Sequence, residues 1–197
     1  VEMIYVPNDK WSRKAKEEGY RARSVYKLRE LDERFKLIKS GMTVLDAGAA
    51  PGSWMQYTSQ KVGPTGKVIG LDLQEIEPIA ENTITGVVDI TDKESVKTFL
   101  KEQDIPRIDL VLSDLAPSTS GIRDIDQWRS IELSESTVSL ARSLMRRGGV
   151  CVLKILRGAD FDSFLFQAKK HWKLVKVTTV KTSRSTSKEV YVVLKKI

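Results

Sequence analysis

Short apolar runs alternate along this chain with segments whose apolar residues recur every three to four positions. The runs "TVLDAG" (43–48), "GKVIGLDL" (66–73), "ITGVVDI" (84–90), "IDLVLSDLAP" (108–117) and "VCVLKILRG" (150–158) read as strands buried on both faces. "KLVKVTTVK" (173–181) and "KEVYVVLKK" (188–196) add two more. Between them, "SWMQYTSQKV" (53–62), "DKESVKTFLKE" (92–102), "QWRSIELSESTVSLARSLMRR" (127–147) and "DFDSFLFQAKKHW" (160–172) read as helices, the third ending at Gly148-Gly149. "SVYKLRELDERF" (24–35) precedes the first strand, with Val25, Leu28, Leu31 and Phe35 spaced for one helical face. Strands alternating with helices predict an α/β fold with a mostly parallel sheet covered on both faces. No helix separates the last two strands, so one of them is expected to run antiparallel. One position breaks the pattern: Lys154 sits inside the apolar run 150–156. A lysine buried without partners is costly, so it either snorkels to water or serves the chemistry.

Composition narrows the classes. The 197 residues, 41% hydrophobic and 30% charged, suffice for one globular domain with a real core. No apolar run is long enough to span a membrane, and the first ten residues do not read as a signal peptide. A single cysteine, Cys151, excludes an internal disulfide, and a single histidine, His171, argues against a histidine metal site or a Ser-His-Asp triad. No metal is expected, and the cytoplasm is the expected compartment. The net charge of +7 is unevenly placed: residues 1–40 carry +4, residues 41–168 carry −5 and residues 169–197 carry +8. Two basic ends flanking an acidic middle suit a polyanionic partner met by both termini.

In an open parallel sheet, ligands bind beyond the carboxyl ends of the strands. There the sequence places Asp46 with Gly48, then Asp72, Asp89 and Asp114. "DAGAAPG" (46–52) follows the first strand, and its glycines let the backbone approach a ligand at a helix start. The dinucleotide pattern G-x-G-x-x-G is not met. Asp72, twenty residues after Gly52 and ending the second strand, can bind both hydroxyls of a ribose. Asp89, read as ending the third strand, can accept from an adenine amino group. Four acids at one mouth disfavour a pyrophosphate and favour an adenosine ligand with a positive centre, which describes S-adenosyl-L-methionine.

These motifs in order, "VLDAGAAPGSWMQ", "VIGLDL", "VVDI", "LVLSDLAPSTSG", "VLKILRG" and "SRSTSKEVYVV", resemble those of the FtsJ family of ribose 2′-O-methyltransferases. "DKWSRKAKEEGYRARSVYKLRELDERF" resembles the family's N-terminal segment, so the likeness covers about residues 9–195. Ala47 and Ser53 stand where family members often have Leu and Gly, and Ser118 follows "LAP" where Asn is common. The resemblance implies a Rossmann-like methyltransferase fold: a seven-stranded, mostly parallel sheet with one antiparallel strand. It also implies a single domain over 1–197, with a basic helical segment at 1–40 and the core at 41–197.

By the same resemblance, Gly52 and Trp54 line the cofactor pocket, Trp54 at its rim. Asp72 binds the adenosine ribose, Asp89 the base, and Asp114 lies beside the reacting methyl. The catalytic set is Lys27, Asp114, Lys154 and Glu189. A ribose 2′-hydroxyl is a weak acid and a poor nucleophile, so the enzyme must align oxygen, methyl and sulfur and take the proton. Lys154 is the candidate base. It must be neutral to accept a proton; partial burial and Lys27 push that way, and Asp114 and Glu189 push the other. A charged Lys154 would instead steer and stabilise the alkoxide. The implied partner is RNA, a uridine of large-subunit ribosomal RNA in the assembled or assembling large subunit, met by a monomer. Lys10, Arg13, Lys14, Lys16, Arg21 and Arg23 on one side, and Lys181, Arg184 and Lys188 on the other, are candidate phosphate contacts. Three alternatives compete: ribose methylation of transfer RNA or an mRNA cap, a non-catalytic ribosome assembly factor, and a nicotinamide dehydrogenase on a similar sheet.

Overall fold

The computed structural model describes residues 9–118, 120–183 and 188–197. Two helices, α1 (Lys10–Glu17) and α2 (Val25–Phe35), precede β1 (Thr43–Ala47), α3 (Ser53–Val62), β2 (Lys67–Asp72) and β3 (Thr83–Val87). Then follow α4 (Lys93–Glu102), β4 (Ile108–Ser113), α5 (Arg123–Leu144), β5 (Met145–Leu156), α6 (Phe161–His171), β6 (Trp172–Thr178) and β7 (Glu189–Lys196). The seven strands form one sheet in the order β3-β2-β1-β4-β5-β7-β6. All neighbours are parallel except β7, which runs antiparallel to both β5 and β6.

The two-residue period of the strands sorts the core into two layers. Leu45, Ile69, Val111, Leu153 and Val192 pack with Val96 and Leu100 of α4, Leu140 of α5 and Phe164 of α6. Val44, Val68, Leu112, Val152 and Tyr191 pack with Leu28 and Leu31 of α2 and Trp54 and Met55 of α3. So α1–α3 cover one face and α4–α6 the other. Leu28 and Leu31 are fully buried, each worth roughly 1.5–3 kcal/mol of apolar burial. That stripe fixes which way the rest of α2 points, Lys27 included.

Several boundaries differ from the sequence expectation. β3 ends at Val87, so Asp89 lies in the turn beyond it rather than at the strand end. The helix expected over 127–147 runs instead over Arg123–Leu144. It starts early because the Asp126 carboxylate accepts from the Ser120 N–H and hydroxyl at 2.7 and 2.8 Å, tying the incoming loop to the first turn. It stops early because Met145 already pairs with Ile108 and Arg146 with Asp109. Gly148-Gly149 therefore lie inside β5, at an irregularity where the register against β4 shifts between Ile108 and Leu110. Gly148 has φ +76°, and a Cβ at Gly149 would stand 3.0 Å from the Arg146 carbonyl and 3.1 Å from that of Asp109.

Candidate active site

Strand register brings the charged residues together. Lys154 of β5 lies opposite Tyr191 of β7, and Leu156 opposite Glu189. Directly opposed residues share a face, as do residues two apart, so Lys154, Tyr191 and Glu189 all face the α1–α3 layer. Asp114 directly follows β4, whose Ser113 pairs with Leu153 of β5. From above, α2 lowers Lys27 onto the same spot.

The resulting contacts alternate in sign. Lys27 Nζ donates to Glu189 Oε2 at 2.8 Å, and the Ser183 hydroxyl donates to the same oxygen at 3.1 Å. Glu189 Oε1 lies 3.8 Å from Lys154 Nζ. Lys154 Nζ donates to the Asp114 carbonyl at 2.9 Å and stands 3.3 Å from Asp114 Oδ1. Tyr191 Oη donates to that same Oδ1 at 2.7 Å. The Lys154 side chain is only 8% exposed, so the lysine in the apolar run is buried and paired rather than snorkelling out. Burial pushes the Glu189 carboxyl up, but the hydrogen bond and charge of Lys27, the charge of Lys154 and the Ser183 hydroxyl together hold it below the ordinary glutamate value. Burial first, then the charge and hydrogen bond of Asp114, push the Tyr191 phenol well above its ordinary value, so it stays a donor.

One strand over, the glycine loop forms the other half of the mouth. Gly48 has φ +79°, and a Cβ there would stand 2.0 Å from Leu115 Cδ2. Gly52 has φ +107° at the start of α3, and a Cβ there would stand 2.8 Å from Ile79 Cδ1. Among the described residues no side chain caps α3, so its first N–H groups are left to whatever the loop faces. Asp72 braces the loop: Oδ2 accepts from the Ala50 N–H and Oδ1 from the Gln74 N–H, both at 2.9 Å. Asp46 is almost fully buried, and its Oδ2 has no hydrogen-bond partner among the described residues. Burial, then the charges of Asp114 and Asp72, push its pKa well above the ordinary carboxylate range. A mouth with an unpartnered carboxyl group and two further acids nearby fits a ligand that brings positive charge and hydroxyl donors.

Some expected site residues sit differently. Trp54 is not at the rim: its ring is buried in the core beside Tyr191, and Nε1 donates to the Ser24 carbonyl at 2.8 Å. Only its backbone, in the first turn of α3, belongs to the loop. Asp89 is exposed, with Oδ1 accepting from the Thr91 N–H and hydroxyl at 2.9 and 2.7 Å. Arg21 is a loop clamp, donating to the carbonyls of Pro51, Glu77 and Pro78 at 2.8–3.0 Å. Arg23 pairs with Asp9 and donates to the Thr182 carbonyl. Lys10, Arg13, Lys16, Lys181 and Lys188 are exposed, and Arg184 lies outside the described residues. Sequence reasoning missed Tyr191, although its place two residues after Glu189 puts both on one strand face.

Residues 20–197 match the model of the FtsJ-like methyltransferase family. The chain belongs to the FtsJ-like methyltransferase family. Full-length relatives agree with this membership. The chain is 46% identical to ribosomal RNA large subunit methyltransferase E of Syntrophobacter fumaroxidans over 192 residues, 97% of this chain and 96% of the relative. It is 40% identical to the protein of that name in Bdellovibrio bacteriovorus, covering 97% of both chains. A Plasmodium falciparum structure assigned as a ribosomal RNA methyltransferase superposes with a TM-score of 0.79 at 30% identity, covering 90% of this chain and 98% of the other. A chain of the fibrillarin/Nop5p complex, at 17% identity and a TM-score of 0.61, shares the fold. Methyl transfer in the family calls for a methyl donor of the S-adenosylmethionine type, whose positive charge the acidic mouth matches. Among the described residues no helix is long and apolar enough to cross a membrane.

Proposed function

We propose that this enzyme transfers the methyl group of S-adenosyl-L-methionine to the 2′-hydroxyl of a uridine ribose in large-subunit ribosomal RNA, in the assembled or assembling subunit. We place it in the cytoplasm and read it as a monomer, the named catalytic residues all coming from one chain. The observation that carries the reading is the alternation Lys27–Glu189–Lys154–Asp114, buried at Lys154 and half-buried at the other three, beside a glycine loop at the carboxyl end of the sheet. The names of the full-length relatives support ribosomal RNA as the substrate class.

The donor supplies a methyl group already activated on a sulfonium. The chain's own residues bind, align and move a proton. Asp72, which already braces the loop, keeps free lone pairs for the hydroxyls of the adenosine ribose, because each of its oxygens accepts only one backbone N–H. Asp89 Oδ2, which accepts no hydrogen bond among the described residues, serves the base. Gly52 lets the backbone at the start of α3 approach the ligand, and Asp114 lines the methyl side. Lys154, once its ammonium has given a proton to solvent, takes the hydroxyl proton on its neutral amine and returns to the ammonium form. Glu189 is neutralised chiefly by Lys27, 2.8 Å away, and stands farther from Lys154 at 3.8 Å. Tyr191 fixes the Asp114 carboxylate, and through it the position of the Lys154 nitrogen. The direct test offers large ribosomal subunits lacking the ribose methyl, free ribosomal RNA and transfer RNA as competing acceptors of labelled methyl. Label is expected in large-subunit RNA; preferential labelling of transfer RNA would overturn the substrate assignment.

A further inference from the structure

A groove of about 880 Å³ lies between α1, α2 and the chain after β6, outside the catalytic cluster. Its lining includes Trp11, Lys14, Tyr26, Arg29, Lys181 and Thr182. We propose that this groove binds a second nucleotide of the RNA substrate, one flanking the target ribose on the same strand. The proposal rests on the RNA methyl-transfer reading above and adds where the strand runs.

Three observations point to a nucleotide. First, the walls are aromatic and cationic together. The Trp11 and Tyr26 rings stand 5.1 Å apart, and Lys14 Nζ lies 5.7 and 5.2 Å from their centroids. Trp11 is only half-buried, so part of its ring is available for stacking on a base. Second, the buried Thr182 Oγ1 at the groove has no hydrogen-bond partner among the described residues, while the Tyr26 hydroxyl is turned toward Glu18. Buried polar groups rarely go unsatisfied, and a base edge supplies both donors and acceptors. Third, the acids in and beside the groove are largely engaged. Glu18, close to Tyr26, pairs with Lys14 at 3.7 Å and Arg29 at 3.4 Å. Glu30 accepts from the Lys181 N–H at 2.9 Å and pairs with Arg34 at 3.6 Å. Glu33 is exposed on the wall. The Lys181 ammonium makes no ion pair among the described residues and is left for a phosphate.

Two lining residues of the groove are sequence neighbours of residues in the catalytic cluster. Tyr26 immediately precedes Lys27, and Thr182 immediately precedes Ser183, whose hydroxyl donates to Glu189. Arg23 holds the Thr182 carbonyl at 2.9 Å. On this proposal, a strand with its target ribose at Lys154 lays an adjoining nucleotide in the groove.

The test is methylation kinetics on large ribosomal subunits lacking the ribose methyl, with S-adenosylmethionine binding measured separately by calorimetry. Thr182→Val keeps the shape and removes the hydroxyl; Lys181→Glu reverses the free charge; Trp11→Ala removes the stacking face and Trp11→Phe restores one. The expected result is a KM for subunits raised about tenfold in Trp11→Ala and Lys181→Glu, and about threefold in Thr182→Val, with cofactor affinity at the wild-type value. Trp11→Phe should recover most of the loss. Ultraviolet cross-linking of the wild-type complex should join RNA to Trp11 or Tyr26. Wild-type KM in folded Thr182→Val and Lys181→Glu, or cross-links only elsewhere, would overturn the groove, and these two variants decide if Trp11→Ala fails to fold. A wild-type enzyme that methylates no RNA would instead overturn the underlying reading.

Discussion

Lys154 is held by three oxygens from two acids, and the ring hydroxyl of Tyr191 holds one of those acids in turn. Tyr191→Phe removes a hydrogen bond to a charged group without removing the ring. It should lower stability by about 1.5–3 kcal/mol in urea unfolding, and unchanged stability would show that the bond is idle. Asp46 gives a pH-dependent prediction. Its folded pKa is raised, so above the unfolded value of 3.8 the native state binds more protons than the unfolded one. Stability is therefore lost as pH rises from there. Asp46→Asn should raise the melting temperature of the free protein at neutral pH, the gain shrinking as pH falls toward 3.8. A gain that grows with acidity would contradict this. Glu189 has the opposite sign: its lowered value adds stability above the unfolded value of 4.5 that fades as pH falls. At this scale the sequence was only partly legible. Lys27 on a helix and Glu189 at a strand start look like surface residues one at a time; the order of motifs singled them out. Trp54 misled because its place after Gly52 suggested the rim, whereas the first turn of α3 turns its ring into the core. Tyr191 was invisible because an aromatic in a core strand needs no other explanation.

At the scale of elements, α2 is the lid of the site as well as a wall of the core. Leu28 is fully buried, directly beside Lys27 in sequence. Leu28→Ala should cost about 2–5 kcal/mol by cavity formation, measured by chemical denaturation. A cost under 1 kcal/mol would mean that α2 does not need this anchor. Strand and helix identities were readable from periodicity, and α3 matches its expected span of 53–62. Boundaries were less so, for local reasons. Asp126 reaches back to Ser120 and starts α5 early, and Gly148-Gly149, a helix stop in sequence, serves an irregular stretch of β5 instead. Asp89 falls past its strand because β3 ends at Val87, where the chain turns toward Thr91.

Across the whole molecule, the acidic cofactor mouth and the basic ends divide the work between a cationic ligand and a polyanion. RNA affinity should fall steeply with salt, with a log–log slope of about −3.5 for five single-strand phosphate contacts. Cofactor affinity, set within the sheet mouth, should change far less. Equal salt dependence of the two would contradict the division. Charge distribution was readable from the sequence, but not which cations are free. Arg21 and Arg23 looked like phosphate contacts and instead clamp the loop at Pro51 and the chain at Thr182.

The central claim is that buried Lys154 takes the 2′-hydroxyl proton. Its most direct measurement is single-turnover transfer of labelled methyl to unmethylated large subunits by wild type and Lys154→Ala, with the RNA digested to nucleosides. The account predicts label on the ribose oxygen in wild type. It predicts a rate in Lys154→Ala lower by about 10²–10⁴-fold, with S-adenosylmethionine affinity retained. Label on a base, or a wild-type rate without the lysine, would contradict it.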